Sequence, residues 1–173
     1  MHIIKKMEDA NKTIKVRTDD GKVVELSKKA AERSEILRGM IEDYPDETEL
    51  QVKNVKGDAL VKIKEYLEHY EETEPKEVPK PLKSNDFKEC VDEWDYDFIG
   101  KVDDNETLEN LILAANFLNI IPLLILLAAK IASKIKGVNT QTIRTVFGIN
   151  ELNEEEKKQF IEDKNYLEQN VNN

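Results

Sequence analysis

Ten consecutive residues, Ile120-Ile121-Pro122-Leu123-Leu124-Ile125-Leu126-Leu127-Ala128-Ala129, carry no charged or polar side chain. The run is far short of the ~20 residues that a membrane span needs. Pro122 suits the first turn of a helix, where its missing N–H does no harm, and Gly137 stops that helix after Lys136. A helix that is apolar on every side has to be covered on every side. It is either the central helix of a core or a helix that a partner covers on one side. Few residues follow it, in two short helices of which one is charged. They are too little to bury the whole run, so surplus apolar surface is expected near the end of the chain.

The remaining pattern changes character along the chain. Thr13 to Arg17 alternates apolar with polar residues, Val23 to Leu26 is a second β-rich run, and Asp20-Gly21 between them supplies a hairpin turn. Ser27 caps a short helix from Lys28 to Arg33, and Ser34 caps another from Glu35 to Ile41. Tyr44-Pro45-Asp46 breaks the pattern, and Glu49 to Val52 alternates again as a third strand. Gly57-Asp58 opens a helix with Leu60, Ile63, Leu67 and Tyr70 on its inner face. The segment from Pro75 to Pro81 is proline-rich and charged, and is expected to be an exposed spacer. From Glu93 onward every signal is helical. Leu108, Leu111, Ile112, Ala115 and Leu118 form an apolar stripe, Thr140 to Phe147 is a short helix ending near Gly148, and Asn153 with Glu156 forms a capping box for the last helix. A mixed α/β part is thus followed by an all-helical part.

The residues for common chemistry are missing from the sequence. The formal net charge is -10, which repels phosphate backbones and excludes nucleic acid as a natural partner. Cys90 stands alone and His2 and His69 are far apart, so neither a disulfide framework nor a transition-metal site is expected. Acidic neighbours Asp86, Glu89 and Asp92 argue against an activated thiol at Cys90. No phosphate-cradling glycine loop, GxSxG or HExxH occurs. No enzyme activity and no cofactor are expected. MHIIKKMED is too short and too charged for a signal peptide, the two glycosylation sequons read as chance matches, and a cytoplasmic and nuclear location without membrane association is expected.

Four segments together carry a resemblance. They are Glu93-Trp94-Asp95-Tyr96-Asp97-Phe98-Ile99, the phrase LILAANFLNI from Leu111 to Ile120, Ile135-Lys136-Gly137, and IRTVFGI from Ile143 to Ile149. In this order and spacing the chain closely resembles the S-phase kinase-associated adaptor family of cullin-RING ubiquitin ligases. Ser34 to Asp43, Leu50 to Val55 and Lys80 to Ser84 agree more loosely. The resemblance implies an α/β (α+β) fold: a BTB/POZ-type domain with an all-helical C-terminal extension. The expected divisions are a strand-helix part at 13–72, a linker at 73–92, a helical completion at 93–136, and C-terminal helices at 137–170.

The resemblance also implies a non-catalytic adaptor with two partners. A cullin N-terminal domain would meet Asn116 and Phe117, with Leu37, Met40 and Ile41 beside them. An F-box protein would meet Leu124, Leu127, Ile131, Ile135, Ile143, Arg144, Phe147, Ile149 and Tyr166. Without an F-box partner the apolar surface implies self-association as a homodimer. An elongin-C-like adaptor is the alternative, but elongin C lacks the two-helix extension seen at Thr140 to Leu167. An F-box-binding subunit of a non-ligase assembly, at a kinetochore or with a co-chaperone, would use the same two faces. The family pattern is departed from in three places. Tyr166-Leu167 stands where Trp-Cys is common, Thr140 replaces a proline that is hydroxylated in some lineages, and Pro122 with Ile125 to Ala129 is more apolar than usual.

Overall fold

Alternation at the start of the chain produces a sheet with one buried face. In β1 (Thr13–Arg17) Ile14 and Val16 point inward, and in β2 (Val23–Ser27) Val24 and Leu26 do the same. The computed structural model describes the backbone of residues 12–102, 104–148 and 153–171, and their side chains except at 146–147 and 165–171. β1 pairs antiparallel with β2, with Val16 opposite Val24, and parallel with β3 (Glu49–Gln51), with Val16 beside Leu50. The sheet order is β2-β1-β3. Gly21 takes φ 80° in the hairpin turn, a conformation that glycine adopts without strain.

Helices then cover the sheet. Ser27 caps α1 (Lys28–Ala31), which ends two residues earlier than its sequence suggests, and Ser34 caps α2 (Glu35–Asp43). α3 (Gly57–His69) is capped from a distance: Gly57 N–H donates to Asp20 Oδ2 at 2.9 Å. That bond and one from Thr18 hold the Asp20 carboxyl below its ordinary range, the Thr18 hydroxyl contributing most. α4 (Glu93–Gly100), α5 (Asn105–Phe117) and α6 (Ile121–Ile135) complete the first compact unit, Met1–Lys136. α3 packs on β2 and α5, and α5 on α6. The core holds Tyr66, Phe98, Leu60, Leu67, Leu111, Leu118 and Leu123, all fully buried. Tyr66, His69, Tyr70, Trp94 and Phe98 form an aromatic cluster between α3 and α4, in which His69 stacks on Trp94 at 3.6 Å.

The proline-rich segment is exposed at Lys76, Glu77, Lys80 and Pro81, as a spacer would be, but it is anchored to the core at Val78 and just beyond Pro81. Val78 is buried, Leu82 packs partly against the core, and Phe87, in a 3-10 turn at Phe87–Glu89, is buried with Cys90 and Val91. Prolines keep this segment out of helix and sheet, but an extended chain still lays its apolar side chains on a neighbouring surface. It is tied at both ends. Near its start Ser27 Oγ donates to Glu71 at 2.6 Å, Arg33 pairs with Glu74 at 2.7 Å, and Lys29 pairs with Glu72. Near its end Lys136 Nζ donates to the Leu82 carbonyl at 2.9 Å, and the Lys130 ammonium lies over the Phe87 ring. This segment, which precedes α6 in sequence, therefore covers part of the apolar helix. Counting only the residues that follow the helix leaves this cover out.

The second compact unit, Gly137–Asn173, holds α7 (Thr140–Phe147) and α8 (Glu154–Val171). Asn139 caps α7, and Gly148 ends it with φ 63°. Asn153 and Glu156 cap α8 reciprocally: each backbone N–H donates to the other's side chain, at 2.8 and 2.9 Å. Among the described side chains of this unit none is buried.

Candidate protein-binding faces

The end of α5 is held by a left-handed cap. Asn119 takes φ 51°, its N–H donates to the Asn116 carbonyl, and the Ile120 N–H reaches back to Ala115. Ser34 ties this cap to α2. Its buried hydroxyl accepts from the Leu37 N–H at 3.2 Å and donates to the Leu118 carbonyl at 2.6 Å. Asn119 also donates from its side-chain amide to Glu35. These bonds set the start of α2 beside the end of α5.

The two helix ends carry exposed apolar residues. Asn116 is exposed, Phe117 is 37% exposed, and Ile36 on α2 is 38% exposed. Met40 is half-buried. Leu113, one turn before Phe117, and Ile121, just after the cap, are 55% and 50% exposed. Leu37, expected as a contact, is fully buried, and Ile41 is nearly so. They point into the core from the inner face of α2 and support this surface from beneath. Sequence reading missed Leu113, Ile36 and Ile121. Leu113 is four residues before Phe117 and lies off the buried stripe, which is the signal that would have found it.

A second face lies on α6. Leu124 and Ile131 are half-buried against the core and Ile135 is half-buried. Leu127, also expected as a contact, is fully buried and offers no surface. It falls on the inward side of α6 with Leu123 and Leu126. Between α6 and the proline-rich segment runs a groove of about 480 Å³, with Val78 to Leu82 on one wall and Leu124, Ile125, Ala128, Ala129 and Ala132 on the other.

In the second unit Ile143 and Arg144 are half-buried on α7. The side chains of Phe147 and Tyr166, and all of Ile149, lie outside the described residues. On α8, Phe160 and Ile161 are 62% and 57% exposed. Sequence reading passed over them, although two adjacent large apolar residues in a charged helix mark an uncovered side.

Among the described residues, the one strongly perturbed carboxyl belongs to none of these faces. Asp95 on α4 is 2% exposed, and its Oδ1 has no hydrogen-bond partner. Burial pushes its pKa up to about 6; the Tyr70 hydroxyl opposes the shift and the Asp92 carboxylate adds to it. Burial likewise raises Tyr66 and Tyr70 far above the ordinary phenol range. Asp95 is sealed from solvent, so no substrate reaches it. Among the described residues no cluster of three or more His, Cys, Asp or Glu side chains is arranged to hold a metal, and no helix is long and apolar enough to cross a membrane. The surfaces built here are suited to binding other proteins.

Comparison with known proteins agrees with this geometry. Residues 12–72 match the model described as Skp1 family, tetramerisation domain, and residues 122–165 match Skp1 family, dimerisation domain. The S-phase kinase-associated protein 1 homolog of Tetrahymena thermophila is 35% identical, over 94% of this chain and 98% of that protein. The E3 ubiquitin ligase complex SCF subunit sconC of Emericella nidulans is 33% identical, over 92% and 98%. The SCF ubiquitin ligase complex protein SKP1a of Dictyostelium discoideum is 32% identical, over 90% and 95%.

Proposed function

The chain belongs to the Skp1 family, and from that premise we propose that it is the adaptor of an SCF-type ubiquitin ligase, joining a cullin to F-box receptors and performing no chemistry itself. The observation that carries this reading is the presence of exposed apolar residues on separate elements. One set gathers at the joined ends of α2 and α5, and others lie on α6, α7 and α8. An adaptor needs two such surfaces that do not compete. Ubiquitin transfer would belong to the other subunits, and the cytoplasm and nucleus are where this subunit would work.

Phe117 serves as the aromatic anchor for the cullin, with Asn116 fixing orientation and Ile36, Met40, Leu113 and Ile121 completing the patch. Leu124, Ile131 and Ile135 on α6, Ile143, Arg144 and Phe147 on α7, Ile149 beyond it, and Tyr166, Phe160 and Ile161 on α8 serve the F-box. With that partner absent, the same apolar residues would favour a homodimer.

Co-purification with a cullin N-terminal domain and an F-box protein tests the reading. Both should bind at micromolar concentration or better. The double variant Asn116→Lys/Phe117→Lys should lose the cullin and keep the F-box. Removal of residues 140–173 should do the reverse. If neither protein bound the intact chain, the adaptor function would be rejected.

A further inference from the structure

The groove between α6 and the proline-rich segment is open and almost wholly apolar. Its floor is Ala128, Ala129 and Ala132, its wall is Val78, Pro79 and Leu82, and Lys80 is the one charged residue that lines it. A second hollow of about 180 Å³ continues it past Val78 and Ile125 as far as Pro122 and Pro75. Together they follow α6 from Pro122 to Ala132, about 15 Å at 1.5 Å per residue. The wall is tied at both ends, by Arg33 to Glu74 and by Lys136 to the Leu82 carbonyl. A preformed apolar surface of this kind gains from being covered.

The start of the chain lies beside the near end of this groove. The Lys12 carbonyl accepts from the Lys28 N–H at 2.8 Å, the adjacent Ser27 hydroxyl donates to Glu71, and Lys29 pairs with Glu72. Pro75, at the mouth of the second hollow, follows Glu71 by four residues, about 14 Å at most. Eleven residues precede Lys12, and fully extended they span about 36 Å. Residues 5–11 alone cover about 23 Å of that, which leaves residues 1–4 for the hollows. Those residues, Met1-His2-Ile3-Ile4, carry three of the segment's four large apolar side chains.

Charge agrees with this direction. In a chain of net charge -10, residues 1–7 hold Lys5 and Lys6 and no carboxylate. Their path passes Glu74, whose side chain is 83% exposed, and Glu77, which lines the second hollow.

We propose that residues 1–11 turn back along the proline-rich segment and seat Ile3 and Ile4 in the groove, so that the chain covers its own α6 until a receptor displaces the segment. Leu124 belongs both to the groove and to the proposed F-box face, so the two occupants exclude each other. A tether this short gives an effective concentration in the millimolar range, and a weak contact is therefore enough. A receptor that also engages α7 and α8 overcomes it. The competition rests on the adaptor reading, whereas the docking of the segment does not.

Disulfide trapping in the full chain tests the docking. Ala128 is exposed on the groove floor and Cys90 is buried. Ile4→Cys combined with Ala128→Cys should close a bond within one molecule under mild oxidation at micromolar protein, and neither substitution alone should do so. F-box affinity tests the consequence. Ile3→Asp/Ile4→Asp should bind an F-box protein threefold or more tightly than the wild type, with circular dichroism and cullin affinity unchanged. Absence of the intramolecular bond would overturn the proposal. So would a bond formed between two molecules, because the occupant would then be a second copy of the chain. A trapped segment with unaltered F-box affinity in Ile3→Asp/Ile4→Asp would overturn the competition. If no F-box protein bound the chain, the adaptor reading would fail, and trapping would still decide the docking.

Discussion

The two compact units use helices in opposite ways. α3, α5 and α6 of the first unit place leucines, isoleucines and tyrosines in a sealed core, while among the described side chains of α7 and α8 none is buried. Both units have well-capped helices, Asn139 and Asn153 being as well bonded as Ser27 and Ser34. Caps therefore mark where helices begin in both units but do not show which unit buries a core. The difference, among the described residues, is whether apolar side chains are buried within their own unit. The first unit has the sheet and the proline-rich segment. The second shows exposed Phe160 and Ile161 and only half-buried Ile143.

The sharpest test of this contrast is a matched pair of truncations. Phe98→Ala empties a fully buried site between α3 and α4 and should cost about 3–5 kcal/mol in urea unfolding. A cost under about 1 kcal/mol would mean that the aromatic cluster is not part of the core. The smallest effect is expected at its counterpart, Phe160→Ala, which should leave the stability of the free chain within about 0.5 kcal/mol. F-box affinity should nevertheless fall tenfold or more.

Between these extremes lie two polar substitutions in the first unit. Asp95 has a folded pKa of about 6, above the unfolded value of about 3.9. The folded state thus binds the proton more tightly. The stability linked to Asp95 is complete below about pH 4, falls as pH rises toward 6, and is gone above that. Asp95→Asn should therefore stabilise the protein at pH 7.5, by on the order of 2–3 kcal/mol, and hardly at all at pH 4. Thermal melts across that range would show it, and an equal effect at both pH values would contradict the assignment. Ser34→Ala removes both the cap of α2 and the bond to Leu118, and should cost about 2 kcal/mol. Because that hydroxyl joins the two helix ends, cullin affinity should drop more than F-box affinity.

Local signals made most of the first unit legible in the sequence. The alternation at Ile14 and Val16, the turn at Gly21, the caps at Ser27, Ser34 and Asn153, and Pro122 at the start of α6 each act within a few residues, and each appears in the structure as expected. Contacts distant in sequence were not legible. Nothing near Val78 shows that it will be buried and line one groove with Ile125. The resemblance implied Leu37 and Leu127 as partner contacts, but both fall on the inward sides of their helices and are buried. Asp20 capping a helix 37 residues away is the same kind of event. The apolar pair Phe160-Ile161 was visible but masked by the charges around it.

Hydrogen exchange on the chain alone, with an F-box domain, and with a cullin N-terminal domain tests the two-face account most directly. The account predicts that the F-box domain protects amides in α6, α7 and α8 and leaves the joined ends of α2 and α5 unchanged. The cullin domain should protect those ends, around Ile36 and Phe117, and leave α7 and α8 unchanged. Protection of the α2–α5 ends by the F-box domain, or of α8 by the cullin, would contradict it.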